Sequence, residues 1–127
     1  MMINVLAVLN EEMLSLDLDY EFEERTKENH YPYWVGTADL IDNQAEFGGS
    51  QGTITLYGFS LGERLKLLQE AEQIKSHFEN YIVVKDGIAI SIEFNSILNV
   101  SNDTEPRLKR IDITLEWKAW KGASHDI

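Results

Sequence analysis

Gly52-Thr53-Ile54-Thr55-Leu56-Tyr57-Gly58-Phe59-Ser60, running without a break into Leu61 to Phe78, is the stretch that decides the fold. Its first part alternates along the chain with a period of two, which is the pattern of a strand. In its second part Leu61, Leu65, Leu68, Ala71, Ile74 and Phe78 recur every three or four residues, while Arg64, Lys66, Glu70 and Gln73 fall on the other side, as in an amphipathic helix. Ser60 followed three residues later by Glu63 has the form of a capping box, which predicts a helix start at that point. A strand delivering such a helix requires a sheet beneath the apolar stripe.

Upstream, Tyr33 to Ile41 is rich in aromatic and β-forming residues with Pro32 at its front, and it reads as a strand. The polar segment Asp42 to Gly52 then makes a hairpin with a protruding tip. Nearer the N-terminus, Ile3, Leu6, Leu9, Met13 and Leu16 line one side of a first helix. Leu18, Tyr20 and Phe22 alternate with Asp19, Glu21 and Glu23 as a short strand or an exposed arm. Downstream, Tyr81 to Val84 forms a brief strand before an Asp86-Gly87 turn. Two long alternating runs follow, with Ile88, Ile90, Ile92, Phe94, Ser96, Leu98 and Val100 on one face of the first and Ile111, Ile113, Leu115, Trp117 and Ala119 on one face of the second. Ser101 to Pro106 joins them as a loop. These elements predict a single α+β domain over residues 1–120. It is a two-layer sandwich, an antiparallel sheet of about four strands with two helices packed on one face, and 121–127 form a flexible tail.

A chain of 127 residues is long enough to bury a substantial core without staples. It has no cysteine, which excludes disulfides, thiol nucleophiles and Cys-ligated metals and fits a reducing compartment. Eleven basic against twenty-two acidic residues give a formal charge of −11, which repels nucleic-acid phosphates and anionic lipid. No apolar run approaches the roughly 20 residues that span a bilayer, and the N-terminus lacks the basic start of a secretory signal.

Residue types able to do chemistry are present but dispersed. His30, His77 and His125 fall in a loop, a helix and the tail, without a carboxylate or nucleophile at a recognisable spacing. The acidic groups Glu11-Glu12, Asp17 and Asp19, and Glu21, Glu23 and Glu24 match no calcium loop and read as a solvated face. Gly48-Gly49-Ser50-Gln51-Gly52 lacks the lysine and following helix of a phosphate cradle. No catalytic residue, metal or cofactor is expected. Alternation puts Trp117 and Trp120 on opposite faces of the last strand, leaving Trp120 as a candidate contact for another protein.

Tyr31-Pro32-Tyr33-Trp34-Val35 opening a strand, an acidic polar loop, Gly52 to Ser60, and then the helix Glu63 to Phe78 form a combination that resembles the tail terminator, or tail completion, family of long-tailed non-contractile bacteriophages. The similarity extends over residues 3 to 120 as an order of elements. It implies a homo-oligomeric ring, with a hexamer favoured, that sits on the last disc of the tail tube, stops its polymerisation and meets the head connector. The implied partners are a second copy of the chain, tail tube protein and connector protein, with neither a membrane nor sequence-specific nucleic acid. The implied location is the virion tail, and the host cytoplasm during assembly. Loops on a rigid sheet carry such contacts, which nominates Phe47 and Gln51 in the hairpin tip, Asp103 and Glu105 in the later loop, and Tyr20 in the acidic segment. Another head–tail joining protein of the same fold is the nearest alternative. A ligand-binding regulatory domain with Trp34, Tyr57 and Phe94 around a small molecule is a second. An enzyme, which would need a cleft holding His77 or paired carboxylates, is a third.

Overall fold

A computed structural model of the chain describes residues 2–26, 30–42, 48–101 and 104–121. In chain order the elements are α1 (Met2–Ser15), β1 (Tyr20–Phe22), β2 (Tyr33–Asp42), β3 (Ser50–Leu61), α2 (Leu65–His77), β4 (Tyr81–Lys85), β5 (Ile88–Val100) and β6 (Leu108–Lys121). The strands form one sheet in the order β1-β2-β3-β6-β5-β4. β1 runs parallel to β2 and every other neighbouring pair is antiparallel. This corrects the expected antiparallel two-layer sandwich of about four strands: the described residues form six strands, the sheet is mixed, and it curls into a half-barrel. The short segments Tyr20–Phe22 and Tyr81–Lys85 lengthen the sheet at its two ends. Residues 43–47 of the hairpin and 122–127 of the expected tail lie outside the described residues, and Lys121 itself ends β6.

The centre of the sheet is β3, β6 and β5, whose inward side chains Ile54, Leu56, Ile90, Ile92, Ile111, Ile113, Leu115 and Trp117 are buried. Val5, Val8, Leu9 and Met13 of α1 and Leu67, Ala71 and Ile74 of α2 join them in one core, together with Phe78 just beyond the helix. Both helices therefore cover the same face. Each side chain of this size is worth about 1.5–3 kcal/mol when removed from water, so the core outweighs any single surface contact.

Leu9 and Met13 of α1 and Ala71, Ile74 and Phe78 at the second helix are buried as expected, and the stripes depart from expectation in the first turns. In α2 the buried residues are Leu67, Ala71 and Ile74, continued by Phe78 at its C-terminal cap, spaced four, three and four apart, while Leu61 before the helix and Leu65 and Leu68 in it are exposed. The capping box does not form: Ser60 is still in β3, its hydroxyl donates to the Glu63 carbonyl oxygen at 2.8 Å, and the helix begins at Leu65 without a side-chain cap. In α1, Val5 and Val8 are buried and Ile3 is exposed. In β5 the register steps from Phe94–Leu115 to Ser96–Thr114, so Asn95 is the extra residue of a bulge. The alternation inverts there: Ile97 comes opposite buried Ile113, and Leu98 turns outward, 62% exposed.

Two glycines admit the largest rings on the β1–β2 side. A Cβ at Gly58 would lie 2.6 Å from carbons of the Trp34 ring, and one at Gly36 would lie 2.5 Å from the Tyr20 hydroxyl. Trp34 has no exposed surface, and its indole N–H donates to Glu70 Oε1 of α2 at 2.9 Å. One side chain thus joins β2, β3 and α2. Gly58→Ala is expected to destabilise the protein by about 1–3 kcal/mol through overpacking, and Phe78→Ala by about 3–5 kcal/mol. Urea unfolding followed by tryptophan fluorescence measures both.

Candidate functional site

With both helices on one side, the outer face of the sheet carries no helix among the described residues. Its residues are the alternate members of each strand, and register places them in rows, because directly paired residues share a face. Val84, Ala89 and Trp120 form one row, and Ile82, Ser91, Lys118 and Gln51 form the next. Glu93, Glu116 and Thr53 follow, with the two glutamates directly opposite one another. Gln51, Thr53, Ser91, Glu93, Glu116 and Lys118 line a cavity of about 370 Å³ that extends to Ile41 on the β2 bulge. Like charges directly across a strand pair are unfavourable, so this polar hollow is not arranged for stability alone.

The other end of the outer face is aromatic and cationic. Tyr33 stacks on Phe59 with ring centres 5.1 Å apart, and Tyr31 lies 5.5 Å from Tyr33. The Arg25 guanidinium sits 4.5 Å above the Tyr33 ring and donates two hydrogen bonds to Asp19, at 2.7 and 2.8 Å. Arg110 is 5.3 Å from the Tyr57 ring and donates twice to Asp112, at 2.8 Å each. In both cases the carboxylate hydrogen bond holds the guanidinium in its charged form. Both cations are thereby fixed on aromatic surface, which stiffens this end of the face.

The nominated contact residues separate into groups. Trp120 is half-buried on the outer face, and Gln51 lines the polar cavity. Glu105 is exposed at the turn before β6, accepting a hydrogen bond from the Arg107 backbone N–H at 3.3 Å. Tyr20 is 4% exposed and packs in the core against Gly36, so it offers no surface to a partner. Phe47 and Asp103 lie outside the described residues, as does His125.

The ligand-pocket trio does not converge: Trp34 is fully buried against Glu70, Tyr57 faces outward beside Arg110, and Phe94 lies on the helix side under Lys75. Nor is the acidic N-terminal region simply a solvated face. Glu11 pairs with Lys85, Glu12 contacts His77 at 2.5 Å, and Asp19 and Glu21 both pair with Arg25. His77 also stacks on Tyr81 at 5.6 Å. His30 is exposed. Among the described residues, no group of three or more histidines and carboxylates is placed to hold a metal ion.

Besides the two arginines, displaced pKa values have burial as their largest cause. Burial raises Tyr20 above the usual tyrosine range, and burial followed by the neighbouring Glu12 pushes Tyr81 up to about 12. Burial also raises the Glu70 carboxyl, against the opposing effect of the Trp34 hydrogen bond. Arg25, the Trp34–Glu70 link and the Asn95 bulge were missed from the sequence because partners 6 to 36 residues apart leave no local pattern. The direct pairing of Glu93 with Glu116 required knowledge of the register.

The sequence matches no protein-family model and no curated protein. A solved structure is similar with a TM-score of 0.61 and 13% identity, over 83% of this chain and 81% of that chain. That likeness shows the fold alone.

A carboxyl with a raised folded-state value opposes folding once ionised, and the opposition disappears as pH falls below the unfolded value of about 4.3. Glu70→Gln keeps an acceptor for the Trp34 N–H and removes the charge. The variant is therefore expected to unfold at higher denaturant than the native chain at pH 7, with the gain shrinking on acidification. Parallel urea titrations at pH 7 and pH 4 test this.

Proposed function

We propose that this chain is a phage tail terminator: a subunit that assembles into a ring, hexameric by preference, caps the tail tube, stops its polymerisation and presents a surface to the head connector. The observation carrying this reading is a six-stranded sheet with its helices confined to one face; among the described residues no regular element covers the other face or either end of the sheet. Ring assembly requires different patches on the two sides of one subunit, and the outer face supplies them. A polar cavity and Trp120 lie toward β4, and a rigid aromatic–arginine surface lies toward the ends of β2 and β3. In this reading the partners are further copies of the chain, tail tube protein and connector protein. It acts in the virion tail, after assembly in the host cytoplasm, without catalysis or a cofactor. The acidic charge of −11 would keep DNA from adhering as it passes through the ring.

The order of elements around Tyr31-Pro32-Tyr33-Trp34-Val35 supports the same reading, and another head–tail joining role would use the same surfaces. The direct test adds purified chain to polymerising tail tube protein from the phage or prophage that encodes it. Tubes should stop growing and carry a ring at one end in negative-stain images. Unchanged tube growth with no end-bound ring would overturn the assignment. Trp120→Ala should weaken capping about tenfold or more if the indole is a contact anchor, with circular dichroism unaltered.

A further inference from the structure

Among the described residues the sheet has two uncovered edges, and their backbone groups are complementary. At one end, the Asp86–Gly87 turn, with φ of 53° and 76°, is a two-residue hairpin turn that closes on the pair Lys85–Ile88. The Phe94 N–H, two residues beyond Ile92, points toward β4 and donates to Phe78 O at 2.8 Å. Hydrogen-bonded pairs alternate along an antiparallel ladder, so Ile88, Ile90 and Ile92 bond to β4. Ile82 and Val84 consequently turn their N–H and C=O groups to the outer edge.

At the other end, Trp34 N–H donates to Asp19 O and Gly36 O accepts from Glu23 N–H. The same alternation turns Ala38 and Leu40 toward the outer edge of β2, beyond the reach of β1, which pairs only with Trp34 to Gly36. Among the described residues, no backbone hydrogen bond meets either of these edges. Exposed apolar side chains mark both: Ile82 at 66% and Val84 at 60%, Leu40 at 47% and Ile41 at 66%.

We propose that copies of this chain join head to tail, β4 of one pairing in parallel with residues 37–42 of β2 in the next, so that the sheets run on from subunit to subunit. This deepens the ring-forming reading and rests on it for the identity of the partner, a second copy. Three features select the arrangement. β2 and β4 run in the same direction, since three antiparallel steps through β3, β6 and β5 and a fourth to β4 restore it.

Side-chain parity also fits. In a parallel ladder a residue bonding outward lies beside one bonding inward, with both side chains on one face; Ile82 then lies beside Thr37 and Val84 beside Asp39, all on the outer face. Antiparallel pairing of these two edges would instead set Ile82 and Val84 against Ala38 and Leu40, whose side chains point to the helix side. Charge supplies the third feature: residues 37–42 carry Asp39 and Asp42, and residues 81–85 carry only Lys85. Pairing β2 with β2 would set acidic segments together, and pairing β4 with β2 does not.

The absence of cysteine from the chain makes a crosslinking test clean. Val84→Cys with Asp39→Cys places two thiols on strands four inter-strand steps apart, each about 4.8 Å, too far to bond within one chain. Mild oxidation should yield a covalent series of dimer, trimer and larger species that collapses on reduction, and neither single variant should form that series. Val84→Pro removes a donor that the chain's own ladder does not use; it should weaken association about tenfold or more with unchanged circular dichroism. Ile82→Cys with Val84→Cys that crosslinks and stops at two chains would mean β4 pairs with itself, which overturns the proposal. A strict monomer by light scattering at about millimolar concentration would overturn it too. Tubes capped by a chain whose cysteines never join would sink the edge pairing alone. A covalent series that leaves tubes uncapped would sink only the terminator reading.

Discussion

Trp34 is the side chain on which one half of the molecule depends. Its ring lies against Gly58 in β3, its strand neighbour in β1 is Tyr20, and its N–H is held by Glu70 of α2. The outer strands β1 and β2 are attached to the central β3–β6–β5 ladder on one side only, and without this ring they would be held by backbone hydrogen bonds and small inward residues such as Gly36 and Ala38. The arrangement carries an electrostatic penalty, because it takes the Glu70 carboxylate partly out of water, as its raised pKa records. That penalty is the counterpart of positional definition: a buried indole donor left unmatched would cost about 1–3 kcal/mol, so α2 must arrive with an acceptor at this one point.

How much of this was legible follows from which signals are local. Alternation in 52–60, 88–94 and 111–119 is a property of consecutive residues, and those strands formed where expected. The Asp86-Gly87 pair predicted its turn because positive φ at both positions is cheap for these residue types. Failures arose wherever a distant partner decided the outcome. Ser60 and Glu63 have the residue types of a cap, but pairing of Ser60 with Lys109 kept the chain extended and moved the helix start to Leu65. Leu65, Leu67 and Leu68 are equally apolar, and only the position of the sheet chose Leu67. The Asn95 bulge inverted an alternation that read smoothly through Val100. A three-residue strand such as β1 lacks enough sequence to declare itself, and its parallel pairing cannot be inferred from alternation.

The site was less legible than the fold for the same reason. Trp120 lies on the outer face because its strand was read correctly, whereas Gln51 was expected in the hairpin tip and reaches that face because β3 already begins at Ser50. Tyr20 was placed outside because its neighbours are acidic, whereas Arg25 neutralises those neighbours and allows the tyrosine to enter the core. A run of carboxylates indicates solvent only when no cation folds back onto it.

Charge then constrains how such a molecule can associate. At −11 two copies repel once they come within about 8 Å of each other at physiological salt, so attraction must come from short-range contacts with few charges in them. Contact between the middles of two outer faces is unfavourable, since Glu93 and Glu116 of one copy would meet the same pair in the other. The strand Tyr81 to Lys85 carries a single charge and two exposed β-branched residues, and natural edges of that kind are usually shortened, charged or covered when they are meant to stay alone. β1 is guarded in this way, being three residues long with Glu21 at its centre; β4 is not. The asymmetry between a guarded and an unguarded edge gives the sheet a direction. In the proposed assembly, a directional sheet whose two ends differ would add copies in one sense of rotation, closing into a ring if the half-barrel curl supplied the angle.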